Sequence, residues 1–404
     1  MYRYENKSLC EGRVSFSHDI LAIISHNTVL VVKINTDSFE KKIVCSSGIH
    51  SVYISPDCEK ILVLMSNQVN ICLYKYNNLN NDNKMTSGFI SLIGGEIPCE
   101  TIMWSPDSVN CVLIGMCYSY ALLWNTETGQ IHTLDPPKSS CIMFSPNSDY
   151  LSIVIRRDGK DFLVLHDTKT DEVTDVQLNT LDSQKVSWSS DSTHICVLDS
   201  DDHDMLQIYD TRNQNLVESF LHEGNLGISS FAESENSKLI AVGGFDGIVR
   251  ILVSPEWRVL AELIHSQYII KEAQIFMQSE DGFEETESPI MMNTESESIS
   301  HISWSQTNNF LVTLISKYPS SLFLWNVENF SLDCIYVFEH PIVNIKWSST
   351  DDICAINTES SKLFVWKEHT MKECEGIMAS DFTWCGKDLS IFDYRAGQVI
   401  YLQS

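Results

Sequence analysis

The sequence predicts an all-β fold, a β-propeller of about eight to nine four-stranded blades in one closed ring. A short phrase returns nine times along the chain, at a spacing typical of propeller blades, which repeat every ~40–45 residues. The phrase consists of alternating apolar residues, an aromatic residue and a serine, usually with Asp or Asn close behind. A clear copy is Ile102-Met103-Trp104-Ser105-Pro106-Asp107.

The copies divide the chain into blade units. They start near residues 14, 52, 102, 142, 186, 229, 301, 344 and 382. Two copies lack the anchor serine, which we assign to Ala232 in unit six and to Cys385 in unit nine. The interval between units six and seven is longer than the others and predicts an insertion over 264–299. Nine units cannot build two complete rings, so residues 1–404 are expected to form a single propeller.

The third unit shows how one blade is built. Thr101–Trp104 reads as a short strand, followed by a turn in which Pro and Asp favour chain reversal. Cys111–Met116 is an apolar strand of the kind covered on both faces. Tyr120–Thr126 and Ile131–Leu134 supply the third and fourth strands, which completes an antiparallel sheet.

The two ends of the chain predict how the ring closes. Gln398–Leu402 reads as the third strand of the last blade, and no fourth strand follows it. The opening segment Met1–Leu9 is therefore expected to supply the missing outer strand. Such closure removes the unpaired edge that makes exposed strands prone to aggregation.

The charge limits the class of partner. The formal net charge is −27, which disfavours a nucleic-acid backbone or an anionic membrane as the direct partner, since both require basic patches. It favours proteins with basic segments, although solubility alone also explains a strong charge. No apolar stretch approaches the length of a membrane span.

The cysteines and the N-terminal residues predict the compartment. Thirteen cysteines lie without C-x-x-C spacing, several of them in apolar runs, as expected for reduced thiols. The first residues do not resemble a signal peptide. We therefore expect an intracellular soluble protein.

Catalytic and metal-binding motifs are missing from the sequence. It contains no nucleophile elbow, zincin motif, P-loop or EF-hand spacing. His132 and His301 lie in strand patterns and are expected to be blade residues. We expect no enzymatic activity, no cofactor, no metal and no small-molecule substrate, although propeller enzymes that build sites from loop tips leave no sequence spacing to detect.

A cationic hairpin tip in unit four is the first candidate partner-binding site. It contains Arg156, Arg157, Asp158, Lys160 and Asp161, in a chain with only 27 Lys and Arg. One interpretation is a solvated tip, because exposed charges contribute little. The other is a contact for an acidic partner segment.

An acidic stretch is the second departure from the repeat. Residues 279–298 contain seven acidic residues and no basic ones, and predict a mobile loop inside the insertion. Ser288 precedes a proline and is a candidate phosphorylation site that could tune a contact with a basic partner. A passive, tolerated insertion is the alternative.

The middle turn of unit six is expected to be structural. Asp246 can accept hydrogen bonds from the amides of its own turn, and Gly247 can supply a positive φ. Turn chemistry alone explains both residue types.

The third strands end in variants of one dipeptide. Tyr209-Asp210, Trp325-Asn326 and similar pairs are relatives of the Trp-Asp dipeptide that names WD repeats. The unit-four tip, together with the segment Leu239–Leu252 followed by Trp257, resembles the WD-repeat protein eight family, the spindle-pole and centriolar-satellite WD-repeat scaffolds. The likeness runs in order from the first unit to the last, with the insertion after unit six in the matching place.

This resemblance implies a non-enzymatic scaffold at the spindle pole body or centrosome, in the cytoplasm and cytoskeleton. Such proteins join a coiled-coil microtubule-anchoring partner and, in fungi, a minus-end-directed kinesin, and they help anchor microtubule minus ends and set spindle length. Two other readings stay open: a propeller scaffold in translation initiation or RNA processing, and a substrate adaptor of a ubiquitin ligase.

Overall fold

The computed structural model describes residues 2–5, 13–17, 20–33, 40–75, 88–91, 98–139, 141–200, 205–213, 215–221, 227–265, 273–279, 282–286, 298–379, 381–385, 388–393 and 398–402. These residues form nine β-sheets, eight of four strands and one of six. A short 3₁₀ turn at Met116–Tyr118 interrupts the β-structure. Each sheet corresponds to one predicted blade, so the all-β propeller architecture is confirmed.

The strand boundaries follow the repeat. Blades one to three contain β2 (Arg13–Ser17), β3 (Ile20–Ser25), β4 (Thr28–Lys33), β5 (Glu40–Val44); β6 (Ile49–Ile54), β7 (Lys60–Met65), β8 (Asn70–Lys75), β9 (Gly88–Ser91); and β10 (Cys99–Trp104), β11 (Asn110–Gly115), β12 (Ala121–Asn125), β13 (Ile131–Leu134). Blades four to six contain β14 (Ile142–Phe144), β15 (Tyr150–Arg157), β16 (Lys160–Asp167), β17 (Val173–Gln177); β18 (Lys185–Trp188), β19 (His194–Leu198), β20 (Met205–Asp210), β21 (Leu216–Leu221); and β22 (Ile228–Glu233), β23 (Leu239–Gly244), β24 (Ile248–Val253), β25 (Arg258–Ile264). Blades seven to nine contain β26 (Gln274–Ser279), β27 (Gly282–Thr286), β28 (Ile299–Trp304), β29 (Phe310–Ile315), β30 (Ser321–Asn326), β31 (Ser331–Val337); β32 (Ile342–Trp347), β33 (Ile353–Thr358), β34 (Lys362–Lys367), β35 (Thr370–Met378); and β36 (Asp381–Cys385), β37 (Asp388–Asp393), β38 (Gln398–Leu402), together with β1 (Tyr2–Glu5).

Hydrophobic clusters lie between consecutive blades. In β7, Ile61 and Val63 pack toward blade one, whereas Leu62 and Leu64 pack with Leu113 of blade three. All six residues of β7 are buried. Because both faces of a middle strand are covered by neighbours, its sequence is continuously apolar rather than alternating.

The first strand completes the last blade. β1 pairs antiparallel with β38, with Tyr2 opposite Tyr401. This pairing confirms the prediction that the opening segment supplies the missing outer strand. From β1 the chain continues to β2, the inner strand of blade one, as it passes from outer to inner strand between the other consecutive blades except six and seven, where the insertion intervenes. This is the connectivity of a ring.

The insertion after blade six adds two strands to blade seven. β26 runs parallel to the outer strand β31, and β27 returns antiparallel to β26. The range 279–298, predicted to be a mobile loop, therefore contains strand residues, with 279 ending β26 and 282–286 forming β27. The candidate phosphorylation site Ser288 lies outside the described residues.

Aromatic contacts explain why this acidic segment forms strands. The Phe276 ring stacks on Tyr336 of β31 with centroids 5.2 Å apart, and Phe283 meets the same ring edge-on at 5.4 Å. Phe283 also contacts Phe338 and Phe364. Two partly buried phenylalanines thus stabilise a hairpin whose acidic residues, Glu284 and Glu285, remain exposed.

The anchor serine closes the first turn of a blade. In blade three, the Ser105 N–H donates to the Asn110 carbonyl at 2.9 Å, and Ser105 Oγ accepts the Asn110 N–H at 2.9 Å. The Ser105 hydroxyl also donates to the Asp107 carboxylate. The serine and the following Asp or Asn are therefore structural residues, satisfied within the turn.

In blade six the anchor is Ser234, and its assignment to Ala232 is wrong. The Ser234 N–H donates to the Leu239 carbonyl at 2.9 Å, and Ser234 Oγ accepts the Leu239 N–H at 2.9 Å. We assigned the anchor to Ala232 because it follows the aromatic Phe231, but the anchor serine lies two residues further along the chain. Glu233 stands where other blades have the aromatic or aliphatic residue before the serine.

A second serine in the same turn joins neighbouring blades. Its Oγ accepts a backbone N–H from the turn of the preceding blade, and its own φ is positive, between 55° and 64°. We name these four residues the staple serines. They are Ser108, bound by Asp57 N at 3.0 Å, Ser148 by Asp107 N at 2.9 Å, Ser192 by Asn147 N at 3.1 Å, and Ser237 by Asp191 N at 2.9 Å.

Inner-strand tryptophans form a second link between blades. In four of them the indole N–H donates to a backbone carbonyl of the preceding blade's inner strand, whereas that of Trp347 has no hydrogen-bond partner among the described residues. The bonds run from Trp104 to Tyr53 at 3.3 Å, Trp188 to Met143 at 3.3 Å, Trp304 to Ala232 at 3.0 Å, and Trp384 to Lys346 at 2.8 Å. The aromatic residue of the phrase therefore contributes packing and a polar contact together.

The Asn or Asp that ends a third strand accepts two backbone hydrogen bonds through one side-chain oxygen. Asn125 Oδ1 accepts the N–H groups of Glu127 and Thr128 at 3.0 and 2.9 Å. Asp167 Oδ1 accepts the corresponding N–H groups of Lys169 and Thr170 at 2.8 and 2.9 Å. Asn and Asp present the same acceptor, so Trp-Asn replaces Trp-Asp without loss of the turn.

We expect Ser192→Ala to lower the free energy of unfolding by about 1 kcal/mol, because the Asn147 N–H loses its partner in the next blade. Ser190→Ala, an exposed serine in the same turn, is the matched control and should change stability far less. Urea denaturation of both variants measures the difference. Equal stability of the two variants would show that the staple bond contributes nothing.

Candidate protein-interaction surface

The predicted tip in blade four is a two-residue hairpin. β15 and β16 pair up to Arg157 opposite Lys160. The connecting residues Asp158 and Gly159 have φ values of 50° and 76°. Two successive positive φ values suit the right-handed twist of the flanking strands, and Asp-Gly is a preferred sequence for such a turn.

Both arginines of the tip are bound by carboxylates of the same chain. Arg156 Nη1 lies 2.8 Å from Asp182 Oδ1 and 3.5 Å from Asp161 Oδ1. Arg157 Nη2 and Nη1 each lie 2.6 Å from a carboxylate, of Asp135 and Asp175 respectively. These hydrogen bonds raise the pKa of Arg157 above its ordinary value.

Asp161 belongs to the interior rather than to the surface. Its side chain is fully buried and accepts bonds from Lys138 Nζ at 2.6 Å and Ser183 N at 2.8 Å. The proposed partner contact at this residue therefore does not fit its position. Its carboxylate instead fixes the loop between blades four and five.

Asp199 is a second buried carboxylate under this loop, and no motif in the sequence singles it out. Its two oxygens accept the N–H groups of Leu181 at 2.9 Å and Asp182 at 2.7 Å. In sequence it begins a run of acidic residues and resembles any solvated loop. Only the folded chain shows that it orients Leu181.

The loop presents an apolar side chain beside the tip. Leu181 is 58% exposed although its backbone is tied down by Asp199 and by Arg156, which donates to the Leu181 carbonyl at 3.3 Å. Lys160 is exposed, and it forms no ion pair with a described residue. We name Arg156, Arg157, Lys160 and Leu181 the tip surface.

Three of the four cations of this region are paired within the fold. Lys138, Arg156 and Arg157 form ion pairs with Asp135, Asp161, Asp175 and Asp182. An acidic partner would therefore meet arginines that already hold carboxylates. The fixed Leu181 and Lys160, which forms no ion pair with a described residue, are the groups most open to a partner.

Asp246 and Gly247 form the turn expected for blade six. Asp246 Oδ1 accepts the Ile248 N–H at 3.1 Å, and Oδ2 accepts from Arg250 Nη2 at 2.8 Å. Gly247 has φ of 74°. Both residues thus have structural partners inside their own blade.

His265 links this turn to blade seven and was not selected from the sequence. Its Nδ1 lies 2.8 Å from the Gly247 carbonyl, which can only accept, so Nδ1 carries the proton. Its Nε2 accepts from Thr313 Oγ1 at 2.8 Å, and Thr313 in turn accepts the Trp325 indole N–H at 2.9 Å. Burial lowers the pKa of His265 to about 4, which keeps it neutral.

Glu233 is a carboxyl group buried between blades five and six. Its neighbour is the Cys196 thiol, with which it shares a hydrogen bond. Its Oε1 has no hydrogen-bond partner among the described residues. Burial raises the pKa of Glu233 to about 7, because the charged form cannot be solvated there.

The stability of the wild type should fall, through Glu233, as pH rises from about 4.5 to about 7, since the unfolded carboxyl loses its proton more readily. Glu233→Gln removes this pH-dependent contribution to the free energy of unfolding. The variant should match the wild type near pH 5 and exceed it by up to ~3 kcal/mol at pH 8. Denaturation at several pH values, with exposed Glu235→Gln as control, measures the effect. Parallel pH curves for Glu233→Gln and the wild type would contradict it.

Two kinds of site are absent from the residues that the structure describes. No group of three or more His, Cys, Asp or Glu side chains capable of holding a metal ion occurs in the part of the chain that the structure describes. No helix among the described residues is long and apolar enough to cross a membrane.

Comparison with known proteins supports the repeat class. The chain is 21% identical over 307 residues to the WD repeat-containing protein WRAP73 of Mus musculus, covering 65% of each. It is 24% identical over 292 residues to an uncharacterised WD repeat-containing protein of Schizosaccharomyces pombe, covering 66% of this chain and 59% of that protein. The match thus spans less than two thirds of either relative. No protein-family model matches the chain.

Solved structures show the same architecture. The C-terminal WD40 domain of Sif2 aligns with a TM-score of 0.50 at 12% identity, covering 89% of this chain and 94% of that domain. The dihydro-heme d1 dehydrogenase NirN also aligns, with a TM-score of 0.50 at 11% identity, covering 80% of this chain and 65% of that one. At these identities the likeness concerns the fold alone. The chain therefore has the β-propeller fold of WD-repeat proteins.

Proposed function

We propose that this chain is a non-enzymatic scaffold of the spindle pole or microtubule-organising centre. In this proposal it helps anchor microtubule minus ends and organise the spindle, through a coiled-coil anchoring partner and a minus-end-directed kinesin. It acts in the cytoplasm, on the cytoskeleton. Propeller domains of the WD class typically bind other proteins, and the matched relatives are WD repeat-containing proteins.

The scaffold assignment rests on one observation: the polar residues of the repeat form their hydrogen bonds inside the ring. The anchor serines, staple serines and strand-ending Asn and Asp side chains described above bond within the ring, so they build the fold. The groups left for contact are exposed side chains on a rigid frame, such as Leu181 and Lys160. A rigid surface with few fixed apolar anchors is suited to binding protein segments.

The spindle-pole assignment is supported by the resemblance of the blade-four tip and the blade-six turn segment. A tagged protein imaged in dividing cells tests it. We expect discrete foci at the spindle poles throughout mitosis. A diffuse or ribosome-associated signal would support the translation scaffold instead and would overturn the proposal.

The tip surface is the proposed partner contact. Leu181→Asp combined with Lys160→Glu should reduce at least about tenfold the partner recovered in affinity purification with quantitative mass spectrometry, with an unchanged melting temperature. These positions are preferable to Arg156 and Arg157, whose replacement would also break the ion pairs to Asp135, Asp175 and Asp182.

Lys238→Glu is the matched control for this experiment. Lys238 is exposed in the first turn of blade six, at the opposite end of the strands from the tip. It should leave partner recovery unchanged. Full recovery with the double tip variant would remove the tip surface as a contact.

A further inference from the structure

A small apolar groove lies at the rim between blades four and five. It is lined by Leu163, Leu165, Thr174, Val176, Ile195, Tyr209 and Asp210. Its volume is about 10 Å³, roughly the space of one water-sized sphere. The groove therefore admits the tip of one side chain, and the rest of any ligand must lie along the outer strand.

The corresponding position between blades seven and eight is where the chain docks its own insertion. Val176 pairs with Leu163, and Tyr336 pairs with Leu322. Leu163 and Leu322 each lie four positions before the Asp or Asn that ends the third strand of their blade. Val176 and Tyr336 therefore occupy equivalent positions on their outer strands. Phe276 of β26 stacks on Tyr336 there, while β26 pairs in parallel with the outer strand β31. The molecule thus shows how an added strand occupies such a position.

Val176 is the smallest residue at this position among blades three to seven. The equivalents are Leu134, Phe220, Leu263 and Tyr336. In blade five, Phe220 packs against the cluster between blades five and six. Blade four combines the small Val176 with an open groove.

The outer strand of blade four lies at the edge of its sheet. β17 ends the order of its sheet, and among the described strands it pairs with β16 alone. Val173, at its start, is 57% exposed. An edge strand with an exposed apolar residue is the usual template for strand addition.

Charge near the groove selects the partner. Asp210 lines it, and the exposed Asp171 and Glu172 stand just before β17. Lys169 in the same turn is already bound by Asp149. The approaching segment therefore gains from basic residues beside its apolar one.

We propose that β17 and this groove bind an extended segment of another protein, which adds as a strand and places the tip of one apolar side chain, flanked by Lys or Arg, in the groove. The inference rests on the proposed scaffold function only in assuming that a protein partner exists.

The test uses purified full-length protein and a dye-labelled synthetic peptide with the β26 sequence Gln-Ile-Phe-Met-Gln-Ser flanked by lysines. Fluorescence anisotropy should show binding to the wild type. Val176→Phe, which fills the groove as Phe220 does in blade five, should weaken binding at least about tenfold. Thr174→Trp is a second groove-filling variant, should Val176→Phe fail to fold. Val259→Phe, on the exposed outer strand of blade six, should bind like the wild type.

Three outcomes would overturn the proposal: no binding to the wild type, equal binding to the groove-filled variants, or tighter binding of a glutamate-flanked peptide. Sedimentation equilibrium adds another. If the wild type is a dimer and Val176→Phe is a monomer, the occupant of the groove is a second copy of this chain, and this result would equally overturn the proposal. Because the assay uses purified protein, its failure leaves the spindle-pole localisation to be judged on its own.

Discussion

The ring depends on the hydrogen bond from the first turn of one blade to the staple serine of the next. A blade is apolar on both faces and cannot bury them alone, so its stability comes from its neighbours. Apolar packing is not directional and leaves the relative position of two sheets loosely defined. The bonds to Ser108, Ser148, Ser192 and Ser237, together with the indole bonds, fix that position at successive junctions.

Three places in the ring differ from the other blades in their side chains. Between blades five and six, Glu233 stands where other blades have an aromatic or aliphatic residue and places a titratable group beside Cys196. Between blades four and five, Val176 leaves a groove, whereas blades three, five, six and seven have a larger residue at that position. At blade seven an additional hairpin covers the outer strand. The first two junctions keep their staple bonds, so these side chains differ on an unchanged backbone arrangement.

Much of the blade architecture could be predicted from the sequence, because the repeat period and the turn residues depend only on neighbours along the chain. The blade count, the middle strands and closure by the first strand follow from patterns within one repeat. Ser234 was missed because Phe231 imitates the aromatic of the phrase. The strand Gly282–Thr286 of the insertion was missed because Phe283 packs on Tyr336 and Phe338, far along the chain.

The candidate surface was predictable only in part. Its hairpin follows from the Asp-Gly turn, but the carboxylates that hold Arg156 and Arg157 lie 26, 18 and 22 residues away. A buried Asp161 and an exposed Asp158 look alike in sequence. Whether a charge is free or neutralised is decided by tertiary structure.

Hydrogen exchange at the staple amides tests the central claim most directly. The N–H groups of Asp57, Asp107, Asn147 and Asp191 lie in surface turns yet donate across blade junctions. Native-state exchange measured by NMR should show these amides protected like those of the middle strands, so that they open only with the ring. Exchange as fast as that of the exposed turn amides beside them would show that the blades are held by apolar packing alone.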